Sequence, residues 1–181
     1  GGSTREAIWS SRERAKIPAI IIAGASHLAG QFFAAGKIDG VVGVGGSTGS
    51  LMATEVMRTL PFGLPKLMIS STAALPGLST RYIGTGDIAL FHSVVEISGV
   101  SDLLKNVFDR AAFAMAGMVS EGITPPKAGK GKAIALTMLG PCEKCASLVR
   151  VGLERAGYQV IGFSAAGIGD RAMETMIAEG L

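Results

Sequence analysis

The sequence has few cysteines and few aromatic residues, and each shortage disfavours a class of protein. Its two cysteines lie in one short motif, Cys142-Glu-Lys-Cys145, which disfavours a disulfide-stapled secreted scaffold and makes a reducing cytoplasm the expected compartment. Aromatic residues make up 6% of the 181 residues, too few and too scattered for a base-stacking platform. Nucleic acid is therefore not an expected partner, despite a formal net charge of +3.

Long hydrophobic runs are also missing. No uninterrupted apolar stretch reaches the roughly 18 to 20 residues that span a bilayer, and the polar opening segment lacks the apolar centre of a signal peptide. We therefore expect a soluble protein with no membrane partner. The chain is instead rich in apolar residues, at 48%, and contains 26 glycines. This composition favours one folded domain or two small lobes over disorder.

Segments rich in β-branched residues alternate with longer segments of helical period, a pattern that predicts an α/β fold with an open parallel sheet and flanking helices. The predicted strands are Gly40–Val44, Lys66–Ser70, Asp87–Phe91, Ala133–Leu139 and Tyr158–Ser164. The predicted helices are Ser47–Thr59, Ser101–Glu121, Cys142–Ala156 and Gly169–Glu179. One further segment, Ile17–Gly24, fits a buried strand, but Pro18 is equally well placed to start a helix that runs to Ala35.

A break in this alternation predicts two lobes. Two prolines and two glycines interrupt the pattern in the segment ITPPKAGKGK, residues 123–132. We therefore expect a first lobe at residues 1–124, a linker at 125–130 and the start of a second α/β lobe at 131–181. The lysine cluster of residues 127–132 is either a solvated part of the linker or a phosphate contact from the second lobe.

The stretch GVVGVGGSTGS, Gly40–Ser50, joins a predicted strand to a predicted helix. Helix N-termini attract anions through unpaired N–H groups, and glycines allow close approach of a phosphate. Ser47, Thr48 and Ser50 add hydroxyl donors. The dinucleotide and P-loop fingerprints are both incomplete, since Thr48 replaces a required glycine or alanine and the loop has no lysine. The loop is thus either a phosphate cradle or only a tight turn.

A second hydroxyl- and glycine-rich loop, Ile69–Ile88, favours the cradle. It follows the next strand, and loops at the carboxyl ends of parallel strands gather on one edge of the sheet, where ligands bind. Connections longer than about 12 to 15 residues are usually functional or mobile. Arg81 and Lys66 are the cations that we expect nearest to this edge.

The segments GVVGVGGSTGSLMATEVMRTLPFGLPKLMISSTAA, YIGTGDIALFHSVVEISGV and AAFAMAGM are similar to the Tm-one-like ATP-binding family, and the likeness continues through GKAIALTMLGP to the last residue. The resemblance implies two Rossmann-like lobes around one nucleotide site, with ATP as ligand, with or without magnesium, and a homo-oligomer, most simply a dimer. It also implies a helix from Pro18 to Ala35. Full-length members are about twice this length, so the second lobe is expected to be truncated.

Carried over by position, the family resemblance assigns two groups of residues to the ligand. The phosphate-binding loop would be Gly45, Gly46, Ser47, Thr48 and Gly49. The residues lining the pocket would be Ser71, Thr72, Gly84 and Thr85. No metal-binding residue and no catalytic residue is assigned.

Two other groups of residues carry possible chemistry. Cys142 and Cys145 follow a predicted strand and open a helix, so they are either ordinary cysteines near a helix start, a redox pair or part of a metal site. Asp87, His92 and Glu96 lie on or after one strand. His92 could act as a general acid or base, but a structural role is the preferred interpretation because no nucleophile or metal completes a set.

Three hypotheses for function follow from the sequence. The first is a cytoplasmic ATP-binding module of unassigned biological process whose glycine loop seats the phosphates. The second is an enzyme that acts on a phosphorylated or carboxylate small molecule. The third is a regulatory or interaction protein whose dimer interface is stabilised by nucleotide. The sequence alone does not decide whether the chain is an enzyme.

Overall fold

The computed structural model describes residues 4–9, 16–120 and 132–180. The chain divides into two compact units, Gly1–Ile123 and Thr124–Leu181. Each unit contains a parallel, open sheet flanked by helices, so the predicted α/β class is confirmed. The predicted linker at 125–130 lies outside the described residues, as does the lysine cluster apart from Lys132.

Three parallel strands form the sheet of the first unit, in the order β1-β2-β3. They are β1 (Val41–Gly45), β2 (Lys66–Ser70) and β3 (Ala89–His92). The register pairs Gly45 with Ser70 and Ser70 with His92, so all three strands end on one edge of the sheet, here called the carboxyl edge. Every residue of the central strand β2 is buried, as expected for a parallel strand covered on both faces.

Helices cover both faces of this sheet. They are α3 (Ser47–Met57) on one face and α5 (Asp102–Met118) on the other. Residues of β2 alternate between the two faces. The buried cluster beneath α5 consists of Leu67, Ile69, Val107 and Ala111. The cluster beneath α3 consists of Met57, Met68 and Ile88. Ser101 caps α5, its Oγ accepting from the Leu104 N–H at 3.2 Å, which is worth about 1 kcal/mol.

The ambiguous N-terminal segment is a helix, α2 (Ile17–Ala34), with Pro18 in its first turn. It follows the short helix α1 (Arg5–Trp9) and packs against α3. No residue of α2 is fully buried, and its apolar Ile21, Leu28 and Phe32 are exposed. By length and composition alone, α2 is the one described helix that could cross a membrane, although the core helices of soluble proteins and signal sequences pass the same test.

A further helix, α4 (Leu78–Ile83), lies inside the segment that we expected to be a continuous loop. It begins after Gly77, whose φ of 77° places it in the left-handed region that favours glycine. Its six residues are too few to show a helical period in the sequence. The helix shortens the loop and fixes Tyr82, which is completely buried.

The second unit repeats the alternation of strand and helix. Its elements are β4 (Ala133–Met138), α6 (Glu143–Arg155), β5 (Gln159–Ser164) and α7 (Ile168–Ala178), with a 3-10 turn at Gly140–Cys142 before α6. The strands β4 and β5 pair in parallel. Ala146 is the one fully buried apolar residue among those described in this unit. Its core is therefore small.

Candidate functional site

The turn between β1 and α3 leaves unpaired backbone donors at the carboxyl edge. Gly46 is the N-cap of α3, in extended conformation, and no side chain caps the helix. The first backbone hydrogen bond of the helix runs from the Ser50 N–H to the Gly46 carbonyl. Within the described part of the chain, no acceptor pairs with the N–H groups of Ser47, Thr48 or Gly49. These three residues are exposed, so their amides form a cluster of donors at a helix N-terminus.

The glycines of this turn have two different roles. A Cβ on Gly43 would lie 2.7 Å from Met68 Sδ, and one on Gly45 would lie 3.0 Å from Gly49 Cα, so these two glycines are required for packing. A Cβ on Gly46 would meet only Ser71 Oγ, at 3.7 Å, and one on Gly49 only the Val44 carbonyl, at 3.9 Å. Packing thus does not explain Gly46 and Gly49, which leave the main chain open in front of the free amides.

A chain of hydroxyl groups lies beneath the turn and connects the two loops. Ser50 Oγ donates to Ser70 Oγ at 2.7 Å, Ser70 Oγ shares a hydrogen bond with Thr72 Oγ1 at 3.2 Å, and Thr72 Oγ1 shares one with the Tyr82 hydroxyl at 2.7 Å. Ser50, Ser70 and Tyr82 are fully buried. Ser50 was expected to offer a donor to an anion, which is wrong, because its hydroxyl is committed to Ser70 and to the Gly45 carbonyl.

Ser71 and Glu96 lie beside the free amides. The Ser71 N–H donates to the Gly45 carbonyl at 3.3 Å, which ties the second loop to the end of β1. Ser71 Oγ donates to Glu96 Oε2 at 3.3 Å. Because Ser71 Oγ is also the atom nearest to the open side of Gly46, the exposed carboxylate of Glu96 lies close to the mouth of the turn. The structure thus brings Ser71 and Thr72 to the glycine loop.

Gly84 lies at the other end of α3. A Cβ on Gly84 would lie 3.2 Å from Arg58 Cδ, and Arg58 is the C-cap of α3. The helix has 11 residues and is therefore about 16 Å long, so its first turn and Arg58 are far apart. Arg58 also holds the carbonyls of Arg81 and Tyr82, at 3.1 and 2.7 Å. The structure does not bring Gly84, or Thr85 next to it, to the free amides.

Lys66 is not a cation of the carboxyl edge, because it begins β2 at the opposite edge. Its side chain is 1% exposed, and its ammonium donates to Asp87 Oδ1 at 2.6 Å and to the carbonyls of Pro61 and Leu64. Asp87 also accepts from the Gly63 N–H. All three donors of the ammonium are used, so this pair is structural and the expectation of a ligand cation at Lys66 is wrong.

His92 ends β3 at the carboxyl edge and is half-buried. The strand runs from Ala89 to His92, whereas the sequence predicted Asp87–Phe91. The next residues turn sharply. Ser93 is fully buried and donates from its hydroxyl to the Val95 carbonyl at 2.6 Å. Val94 has a φ of 66°, a strained conformation for a β-branched residue that costs about 1 to 3 kcal/mol.

Sequence reasoning missed Ser70 and Tyr82 as parts of the site. Ser70 is the last residue of a buried strand, where a hydroxyl needs a partner, and this was the available signal. Nothing in the sequence around Tyr82 pointed to the site, because its hydroxyl comes within hydrogen-bond distance of Thr72 only when the chain is folded. Both residues support the loops from below and neither is exposed.

Comparison with known proteins gives matches along both units. Residues 1–123 match the N-terminal domain, and residues 131–181 the C-terminal domain, of an uncharacterised protein family, UPF0261. The chain is 35% identical over 180 residues to a UPF0261 protein of Clostridium tetani, an alignment that covers 99% of this chain and 44% of that protein.

Two further relatives are similar over most of this chain. The ToMV resistance protein Tm-1(GCR237) of Solanum lycopersicum is 39% identical over 148 residues, which cover 80% of this chain and 19% of that protein. A UPF0261 protein of Mesorhizobium japonicum is 38% identical over 144 residues, which cover 80% of this chain and 35% of that protein. The chain thus spans less than half the length of these curated relatives.

Proposed function

The chain belongs to the uncharacterised protein family UPF0261. We propose that its first unit binds a nucleotide, with ATP as the expected ligand. The resemblance drawn from the sequence is confirmed as to the family, which includes relatives of the tomato Tm-1 protein. The phosphate groups bind at the start of α3. The observation that carries this proposal is the cluster of three unpaired, exposed amides at Ser47, Thr48 and Gly49.

A phosphate oxygen satisfies these donors better than water does. Hydrogen bonds to a charged acceptor contribute about 1.5 to 3 kcal/mol each, and the partial positive charge of the helix N-terminus adds to them. Gly46 leaves the approach open, and the exposed hydroxyls of Ser47 and Thr48 add two donors. Phosphates of nucleotides commonly bind in this way at the carboxyl edge of parallel sheets.

The second loop supplies the side of the pocket. Ser71 Oγ lies next to the open face of Gly46, and Thr72 is held in place by Ser70 and Tyr82. The carboxylate of Glu96 would repel a bare phosphate but is a suitable oxygen ligand for magnesium. We therefore propose that the ligand is ATP with magnesium and that Glu96 faces the metal.

A titration with a charged variant tests the proposal. In Gly46→Asp, the new carboxylate occupies the anion position and can itself cap α3, since aspartate is a good N-cap residue. We expect calorimetry to show at least tenfold weaker binding of ATP with magnesium, while the free energy of unfolding stays equal or rises by a few tenths of a kcal/mol. Loss of binding without loss of stability separates blockage of the site from unfolding.

Gly117→Asp is the matched control, because Gly117 lies on α5 and a Cβ at this position would have no neighbouring atom within 4 Å. This substitution adds the same charge on the face of the sheet opposite α3. The affinity of the Gly117→Asp protein for ATP should therefore equal that of the unmodified chain. Adenosine, which lacks phosphates, should not compete. Equal affinity of Gly46→Asp and the unmodified chain, or no binding of ATP by the unmodified chain, would overturn the proposal.

A further inference from the structure

The two cysteines lie at the start of α6 in the second unit. The strand β4 ends at Met138, a 3-10 turn follows, and Cys142 is the N-cap of the helix. Cys145 is in the first helical turn, three residues later. Both thiols are free, and both residues are exposed. Neither side chain contributes to the core of the unit.

The spacing of the two cysteines suits a disulfide bond. Residues three positions apart on helical geometry have Cα atoms about 5 Å apart. Disulfides join Cα atoms that are about 4.4 to 6.8 Å apart. We propose that Cys142 and Cys145 form a redox-active dithiol that low-molecular-weight disulfides of the glutathione type oxidise to an intramolecular bond. This inference concerns the second unit alone and does not depend on nucleotide binding.

The exposure of both cysteines favours this chemistry over a purely structural role, because a small disulfide can reach either sulfur. A metal site is less well supported, because structural zinc needs four ligands and the described residues contain no group of three or more His, Cys, Asp or Glu side chains that could hold a metal.

The reaction is a double thiol–disulfide exchange. One cysteine thiolate attacks a sulfur of the small disulfide, which forms a mixed disulfide and releases one small thiolate. The second cysteine thiolate attacks the protein sulfur of that mixed disulfide, which closes the Cys142–Cys145 bond and releases the second small thiolate. The protein is oxidised by two electrons and the small disulfide is reduced by two. The two protons lost by the cysteines pass to the released thiolates.

Intact mass spectrometry of the 181-residue chain, after equilibration with mixtures of oxidised and reduced glutathione and alkylation of free thiols, tests the proposal. We expect one oxidised species without glutathione and without alkyl groups, lighter by two hydrogens than the reduced chain before alkylation. Its fraction should not change with protein concentration, because the bond is intramolecular. Cys142→Ser and Cys145→Ser should each stop at one glutathione adduct.

The double variant Cys142→Ser/Cys145→Ser is the control and should show neither product. Because both residues are exposed, all three variants should keep the circular dichroism of the unmodified chain. Two glutathione adducts on the unmodified chain, a disulfide-linked dimer, or two thiols that stay reduced in oxidised glutathione would each overturn the proposal.

Discussion

The hydroxyl of Ser50 on α3 donates to the hydroxyl of Ser70 at the end of β2 across 2.7 Å, although 20 residues separate them in the chain. Both residues are completely buried. The bond joins the first turn of the helix to the end of the central strand. Further hydrogen bonds from Ser70 to Thr72 and from Thr72 to Tyr82 continue this network into the second loop. The position of the free amides relative to Ser71 thus depends on a buried polar network.

Removing the centre of this network should destabilise the first unit. In Ser70→Ala, the Ser50 hydroxyl keeps only the Gly45 carbonyl, at 3.2 Å, as its acceptor, and the Thr72 N–H loses the Ser70 oxygen that it donates to at 3.2 Å. We expect the free energy of unfolding to fall by about 1 to 3 kcal/mol in urea titrations, because hydrogen bonds of partly or fully buried groups are lost. Thr80→Ala, at an exposed position on α4, is the control and should change little. A Ser70→Ala protein as stable as this control would contradict a structural role for the network.

The two roles assigned to glycines give opposite predictions. Gly43→Ala places a methyl group 2.7 Å from Met68 Sδ and 2.9 Å from Ala53 Cβ, so we expect a loss of about 1 to 3 kcal/mol. Gly49→Ala meets only the Val44 carbonyl at 3.9 Å, and alanine favours the helix by up to about 1 kcal/mol over glycine. Thermal unfolding of both variants measures the difference. Equal destabilisation at the two positions would show that Gly49 also serves packing.

The ion pair of Lys66 and Asp87 should stabilise the fold without affecting ligand binding. Lys66→Met leaves the Asp87 carboxylate without its cation, and we expect a loss of about 3 kcal/mol in urea unfolding. The double variant Lys66→Met/Asp87→Leu should be more stable than the single variant, because no charge is left without its partner. A single-variant cost below about 1 kcal/mol, typical of surface pairs, would contradict the burial of the ammonium.

Glu96 should affect nucleotide affinity in opposite directions with and without magnesium. Glu96→Gln removes a negative charge that lies beside Ser71. Calorimetry should show about tenfold weaker binding of ATP with magnesium and about twofold tighter binding of ATP in a chelator, because the repulsion of bare phosphate is then lost. Glu55→Gln removes the same charge beside Arg58, at the far end of α3, and should change neither affinity. A decrease of equal size in both conditions would exclude a role for Glu96 toward the metal.

The sequence was sufficient for the main elements of the fold. The bounds of β2 were predicted correctly at Lys66–Ser70, where the three apolar residues Leu67, Met68 and Ile69 lie between Pro65 and a run of hydroxyl residues. The helix α5 was predicted at Ser101–Glu121 from its helical period, and the structure has it at Asp102–Met118. The choice between strand and helix at residues 17–24 needed the family resemblance, because an apolar run of that length fits both.

The site was less predictable, because it depends on contacts between distant residues. A lysine at the start of a strand is usually solvated, and only the fold shows that Asp87 and two carbonyls enclose Lys66. Gly84 belongs to the second loop in sequence, but it follows α4 and lies against Arg58, at the opposite end of α3 from the free amides. Whether the residues around Gly46 bind phosphate stays a prediction.

Amide chemical shifts test the central claim most directly. In nitrogen-15 spectra of the chain titrated with ATP and magnesium, we expect the largest shifts in the first unit at the N–H groups of Ser47, Thr48 and Gly49. In the Gly46→Asp protein, the same three signals should not shift when ATP and magnesium are added. If ATP moves other signals and leaves these three amides unaffected in the unmodified chain, the phosphates do not bind at the start of α3, and the proposed function is wrong.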